Sequence, residues 1–78
     1  MNTKLETRVK TLLSALTSVE ISDLSLTTST DNLLQWDSLI HMKFILALEE
    51  EFGLVFTHTQ IEQMTSIESV LFCLNQHD

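Results

Sequence analysis

The chain has 78 residues, with 11 acidic against 4 basic side chains and a formal net charge of −7. That length holds one domain, 1–78, burying only about 60% of its unfolded surface. An acidic balance of this kind repels phosphate backbones and anionic lipid, which excludes nucleic acid and membrane surfaces as partners and favours proteins with basic docking patches. The single cysteine, Cys73, leaves no internal disulfide or Cys-x-x-Cys metal site. The longest apolar run, Phe44 to Leu48, falls far short of the roughly 18 residues of a membrane span, and the first residues lack a signal-peptide pattern. A monomeric cytoplasmic protein is expected.

In chain order, Thr3-Lys4-Leu5-Glu6 is a capping-box pattern, and Leu5, Val9, Leu12, Leu13 and Leu16 follow at helical spacing. These residues predict an amphipathic helix ending near Ser18. Residues 19 to 36 are dominated by Ser, Thr, Asp and Asn, with Ile21, Leu24, Leu26, Leu33 and Leu34 interspersed as the expected anchors of a long loop. The loop runs into Gln35-Trp36-Asp37-Ser38-Leu39. Asp37 is placed to cap a helix by accepting first-turn N–H groups. Ser38 then occupies the first helical position, with its hydroxyl facing solvent beside the positive end of the helix dipole, a place suited to a phosphodiester. Trp36, just before the cap, is positioned to staple onto His41.

The second helix, about 38 to 52, carries more apolar residues than one buried face can use. At about 100° per residue, Phe44, Ile45, Leu48 and Phe52 share one arc, while Leu39, Met42 and Leu46 form a second, bordered by Lys43 and Glu50. The second arc reads as an exposed contact stripe. Glu49, Glu50 and Glu51 crowd the negative end of the dipole, where acids do not stabilise a helix, so they are expected to attract a basic partner. Gly53 fits a left-handed helix end with Leu54 folding back. Thr57 to Gln60 and Thr65 to Glu68 repeat the capping pattern, which places a short third helix near 58 to 64, anchored by Ile61 and Met64, and a fourth near 66 to 75. On the fourth helix Ile67, Val70, Leu71 and Leu74 share a face, Cys73 lies at its border as a packing residue, and Phe72 lies nearly opposite.

Asp37-Ser38-Leu39 at a helix start, Ala47-Leu48-Glu49-Glu50-Glu51-Phe52 a helix length later, and the Thr65-Ser66-Ile67 restart together resemble the acyl carrier proteins and their peptidyl-carrier relatives. The resemblance covers nearly the whole chain. It implies an all-α four-helix acyl-carrier-type bundle with a long loop between helices 1 and 2 and a short third helix. It further implies a non-catalytic carrier loaded on Ser38, between Asp37 and Leu39, with 4'-phosphopantetheine derived from coenzyme A. A phosphopantetheinyl transferase and downstream biosynthetic enzymes are the implied partners, docking on Leu39, Met42, Lys43, Leu46 and Glu50. Four positions depart from the family pattern: Gln35 stands where a glycine is common, Trp36 where a small residue is usual, and Ile40 and Lys43 where acids are. The free-standing length, the Trp36-Asp37-Ser38-Leu39 start and the last two departures resemble carriers of specialised pathways with dedicated partners.

Two readings from other classes stand beside this one: a small helical interaction module without a prosthetic group, and a small esterase with Ser38 as nucleophile and His41 as base. The esterase lacks a third residue to orient His41 and a glycine-rich turn for an oxyanion hole. His41, His58 and His77 are dispersed and the acids lack calcium-loop spacing, so no metal site is expected.

Overall fold

The regularly spaced Leu5, Val9, Leu12, Leu13 and Leu16 wind into the first helix, α1 (Thr3–Thr17). In the computed structural model, which describes residues 3–76 with side chains from Lys4 onward, Val9 and Leu13 are wholly buried. The expected capping role of Thr3 lies outside the described side chains, while Glu6 pairs with Lys10 one turn on at 2.7 Å. α1 stops without a glycine. Ser18 takes the left-handed conformation at φ 63°, where glycine is the usual occupant. Its neighbours fasten it there: Ser14 Oγ donates to the Val19 carbonyl at 2.6 Å, and the Val19 N–H donates to Thr17 Oγ1 at 3.3 Å.

The segment from Ser18 to Asp37 contains a single 3-10 turn, Ile21–Asp23, and is otherwise irregular. Leu24 is buried, and Leu26 and Leu33 pack partly against the core. Two expected anchors are corrected: Ile21 sits in the 3-10 turn, which buries nothing, and Leu34 is 93% exposed. Adjacent residues of a tight turn cannot share a face, and Leu33 takes the inner one. Backbone hydrogen bonds hold the loop as much as leucines do. Thr30 N–H donates to the Thr65 carbonyl at 2.9 Å, while the Thr28 and Leu26 carbonyls accept from Ile67 and Glu68 N–H at 2.9 and 3.1 Å. An isolated antiparallel bridge pairs Ser29 with Ser66.

Those bonds shift the start of the last helix. The expected Thr65–Glu68 box would need the Glu68 N–H, which the loop has taken. Ser66 caps instead, accepting from Ser69 N–H at 3.1 Å while its own N–H donates to Ser69 Oγ at 3.0 Å. The remaining helices are α2 (Ser38–Phe52), α3 (His58–Gln63) and α4 (Ile67–Gln76). α3 has the expected reciprocal capping of Thr57 and Gln60, with Met64 wholly buried just past its end and Ile61 partly buried.

α1 packs on both α2 and α4, and α3 packs on α4. The shortest dimension of the backbone is 19 Å, about two helical layers. Trp36, Phe44, Ile45 and Leu48 close the core from the α2 side against Val9, Leu13, Met64, Ile67 and Val70. The expected four-helix architecture, with its long first loop and short third helix, is the one observed.

Candidate functional site

The candidate site is the start of α2. Asp37 Oδ1 accepts the Ile40 N–H at 2.9 Å, and the Asp37 carbonyl accepts the first helical bond from His41 N–H at 2.7 Å. Asp37 is thus the N-cap read from the sequence. Ser38 is the first helical residue and is exposed. Its hydroxyl has no hydrogen-bond partner among the described residues, and neither do the N–H groups of Ser38 and Leu39, which a side-chain cap leaves free in the first turn.

Beneath the serine the chain is rigidly held. Trp36 is 1% exposed, stands edge-on to Phe44 with ring centroids 5.5 Å apart, and donates its indole N–H to His41 Nδ1 at 3.0 Å. With Nδ1 accepting, the proton of the neutral ring sits on Nε2, which donates to the Ile61 carbonyl at 3.0 Å. This one histidine joins the residue before the helix cap to the end of α3. Thr30, Trp36, Asp37, Ser38 and His41 line an open hollow of about 330 Å³ beside the serine. The arrangement removes the esterase reading, because neither nitrogen of His41 is free to take a proton from Ser38.

The outer face of α2 is the stripe expected from the surplus apolar arc. Leu39, Met42 and Leu46 are 65%, 48% and 61% exposed, while Phe44, Ile45 and Leu48 are buried. Phe52, at the end of the inner arc, is only partly buried and is covered by Arg8, whose guanidinium lies 4.5 Å from the ring centroid.

Two members of the acidic triplet have partners within the chain. Glu49 turns back to accept the Phe56 N–H at 2.9 Å. Glu51 binds Arg8 through both Nε and Nη2, at 3.1 and 2.6 Å. Only Glu50 has no partner among the described residues. The signal for these roles was not local, since Arg8 lies on another helix and Phe56 contributes only its backbone. Gly53 closes α2 at φ 66° with open space where a side chain would stand, so its conformation and not crowding calls for glycine. The Leu54 N–H then reaches back to the Glu49 carbonyl at 3.1 Å.

Away from α2, Phe72 is 65% exposed and borders a shallow hollow with Leu5, Leu26 and Leu71. Cys73 is buried, which pushes its thiol above the ordinary range by desolvation. Among the described residues no cluster of His, Cys, Asp or Glu could hold a metal ion, and no helix is long and apolar enough to cross a membrane.

Residues 7–73 match the family described as "Phosphopantetheine attachment site". No curated protein matches the chain. Among solved structures, the apo doublet acyl carrier protein from prodigiosin biosynthesis is similar, with 29% sequence identity and a TM-score of 0.78. The match covers 94% of this chain and 35% of that one. In this family a phosphopantetheinyl transferase attaches 4'-phosphopantetheine covalently, and biosynthetic enzymes then act on what the arm carries. The family match takes in the whole of α2, α3 and the capped corner between loop and helix, and the chain belongs to the acyl carrier proteins, which carry substrates and catalyse nothing themselves.

Proposed function

We propose that residues 1–78 form a single carrier domain, monomeric and cytoplasmic, that bears its phosphopantetheine on Ser38 and presents an acyl or aminoacyl unit to the enzymes of a specialised biosynthetic pathway. The observation that carries the reading is the exposed Ser38 hydroxyl at the first position of α2, unpartnered beside the unpartnered N–H groups of Ser38 and Leu39. A phosphodiester fits there: helix N-termini favour anions through such N–H groups and the helix dipole. Asp37 fixes the helix start through Ile40, which leaves the serine oxygen outside the capping network. Once attached, the group supplies a terminal thiol on a long arm, where an acyl unit is held as a thioester. Partners dock on Leu39, Met42, Lys43, Leu46 and Glu50, and the basic group expected on a partner faces Glu50. Support for a specialised pathway comes from the similarity to a carrier from prodigiosin biosynthesis and from Lys43.

Intact mass after incubation with coenzyme A and a phosphopantetheinyl transferase tests the reading. The wild-type chain is expected to gain one arm and Ser38→Ala none, with the fold retained because an exposed first-turn serine contributes little to stability. Loading of the alanine variant would move the attachment elsewhere.

A further inference from the structure

We infer that Trp36 and His41 are positioning residues for the loading of Ser38: the hydrogen-bonded chain from the Trp36 indole through His41 to the Ile61 carbonyl of α3 sets the direction in which α2 starts, and so where the serine hydroxyl meets coenzyme A. The pair acts, on the carrier reading above, through the backbone of Ser38 and not on the reacting atoms. Ser38 cannot fix its own position, since its side chain is exposed and its hydroxyl has no partner among the described residues. The Asp37 cap ties residue 37 to Ile40 and His41, all within one turn, which shapes that turn but does not orient it against the rest of the molecule. The orientation comes from either side of the serine. Trp36, two residues before it, is enclosed against Phe44 and donates its backbone N–H to the Leu33 carbonyl at 3.0 Å. His41, three residues after it, accepts the indole N–H at 3.0 Å and donates to the Ile61 carbonyl at 3.0 Å.

Packing alone does not call for these polar groups. Apolar burial is non-directional, and a ring without an N–H would also fill the space beside Phe44. Hydrogen bonds hold to a narrow range of distances and angles, so two in series fix where residues 36 and 41 stand relative to α3. His41 and Ile61 are 20 positions apart, and the bond between them joins α2 to a helix that packs on α4. Loading forms a bond from Ser38 Oγ to the pantetheine-side phosphorus of coenzyme A. The pyrophosphate bridge breaks, the adenosine nucleotide leaves with the bonding electrons, and the hydroxyl proton passes to a base of the transferase. Attacking and leaving oxygens stand roughly in line in such a displacement, and moving a reacting atom by about 1 Å slows a reaction by up to about a hundredfold.

The test is the initial rate of loading over a range of chain concentrations, with coenzyme A saturating, at a temperature where melts show each variant folded. His41→Leu removes both bonds and is expected to lower kcat about tenfold with KM for the chain within about twofold, because the exposed residues of α2 are unchanged. Trp36→Phe keeps a ring beside Phe44 but loses the N–H, and is expected to lower kcat about threefold. His41→Gln offers an amide oxygen to the indole and an amide N–H to the Ile61 carbonyl, and is expected to load within about twofold of the wild-type rate. Val70→Ala is the control: Val70 is wholly buried on α4, so its truncation lowers the melting temperature away from this corner, and kcat is expected to match the wild type. Wild-type kcat in His41→Leu or Trp36→Phe, a His41→Gln chain as slow as His41→Leu, a loss confined to KM, or an equal loss in Val70→Ala would overturn the inference. If His41→Leu does not fold, the other two decide: Trp36→Phe must be slow and His41→Gln fast. Failure of the carrier reading looks different, because the wild-type chain itself would then gain no arm.

Discussion

Both ring nitrogens of His41 are committed to the fold, one to the Trp36 indole and one to the Ile61 carbonyl. His41→Ala would leave the N–H of a wholly enclosed tryptophan without an acceptor and a carbonyl without its donor, a loss on the order of 1–3 kcal/mol. For a domain of this size each kcal/mol lowers the melting temperature by about 4–8 °C. Thermal unfolding of the variant should show that drop, and an unchanged melt would mean the two bonds carry no weight. Cys73 makes a second residue-scale case. Burial raises its thiol pKa in the folded state, so the unfolded chain ionises first as pH rises. Stability is then unaffected below the ordinary thiol range, near pH 8.5, and falls as pH climbs through and above it. Alkaline melts of wild type and Cys73→Ala should diverge in that window, with the wild type declining more steeply. Parallel declines would assign the alkaline loss to other groups.

α2 has one buried and one exposed apolar face, and single substitutions separate them. Phe44 is wholly buried, so Phe44→Ala should destabilise by about 3–5 kcal/mol, a large part of the stability of a small domain. Met42 is half exposed; Met42→Ala forms no cavity and should leave the melt nearly unchanged while slowing transfer from the loaded chain to its partner enzyme. A Met42→Ala protein that melts far below wild type would place that side chain in the core. The two arcs were legible in the sequence because helical periodicity is a local property and this helix has more apolar residues than its inner face can hold. Other ends were less legible. α1 terminates on Ser18 through Ser14 and Thr17, a side-chain arrangement that stands in for the missing glycine. The start of α4 moved by one residue because its first N–H groups are met by Leu26 and Thr28, some forty positions away in sequence.

At the scale of the molecule, the same distinction decides how much of the site could be read beforehand. Asp37, Ser38 and Leu39 follow from capping rules within four residues, and the structure places them as those rules require. The fate of the acidic triplet does not, because it depends on where α1 sets Arg8 and where the chain turns at Phe56. Net charge describes the whole surface and says little about one face of one helix. The tryptophan corner has a practical outcome as well. Trp36 is the only tryptophan and the chain has no tyrosine, so the protein's intrinsic fluorescence originates two residues from Ser38, in a ring that is shielded from water and edge-on to Phe44. The molecule carries its own optical probe of that corner, and light emitted by this one indole reports whether the floor beneath Ser38 is closed or open without any added dye.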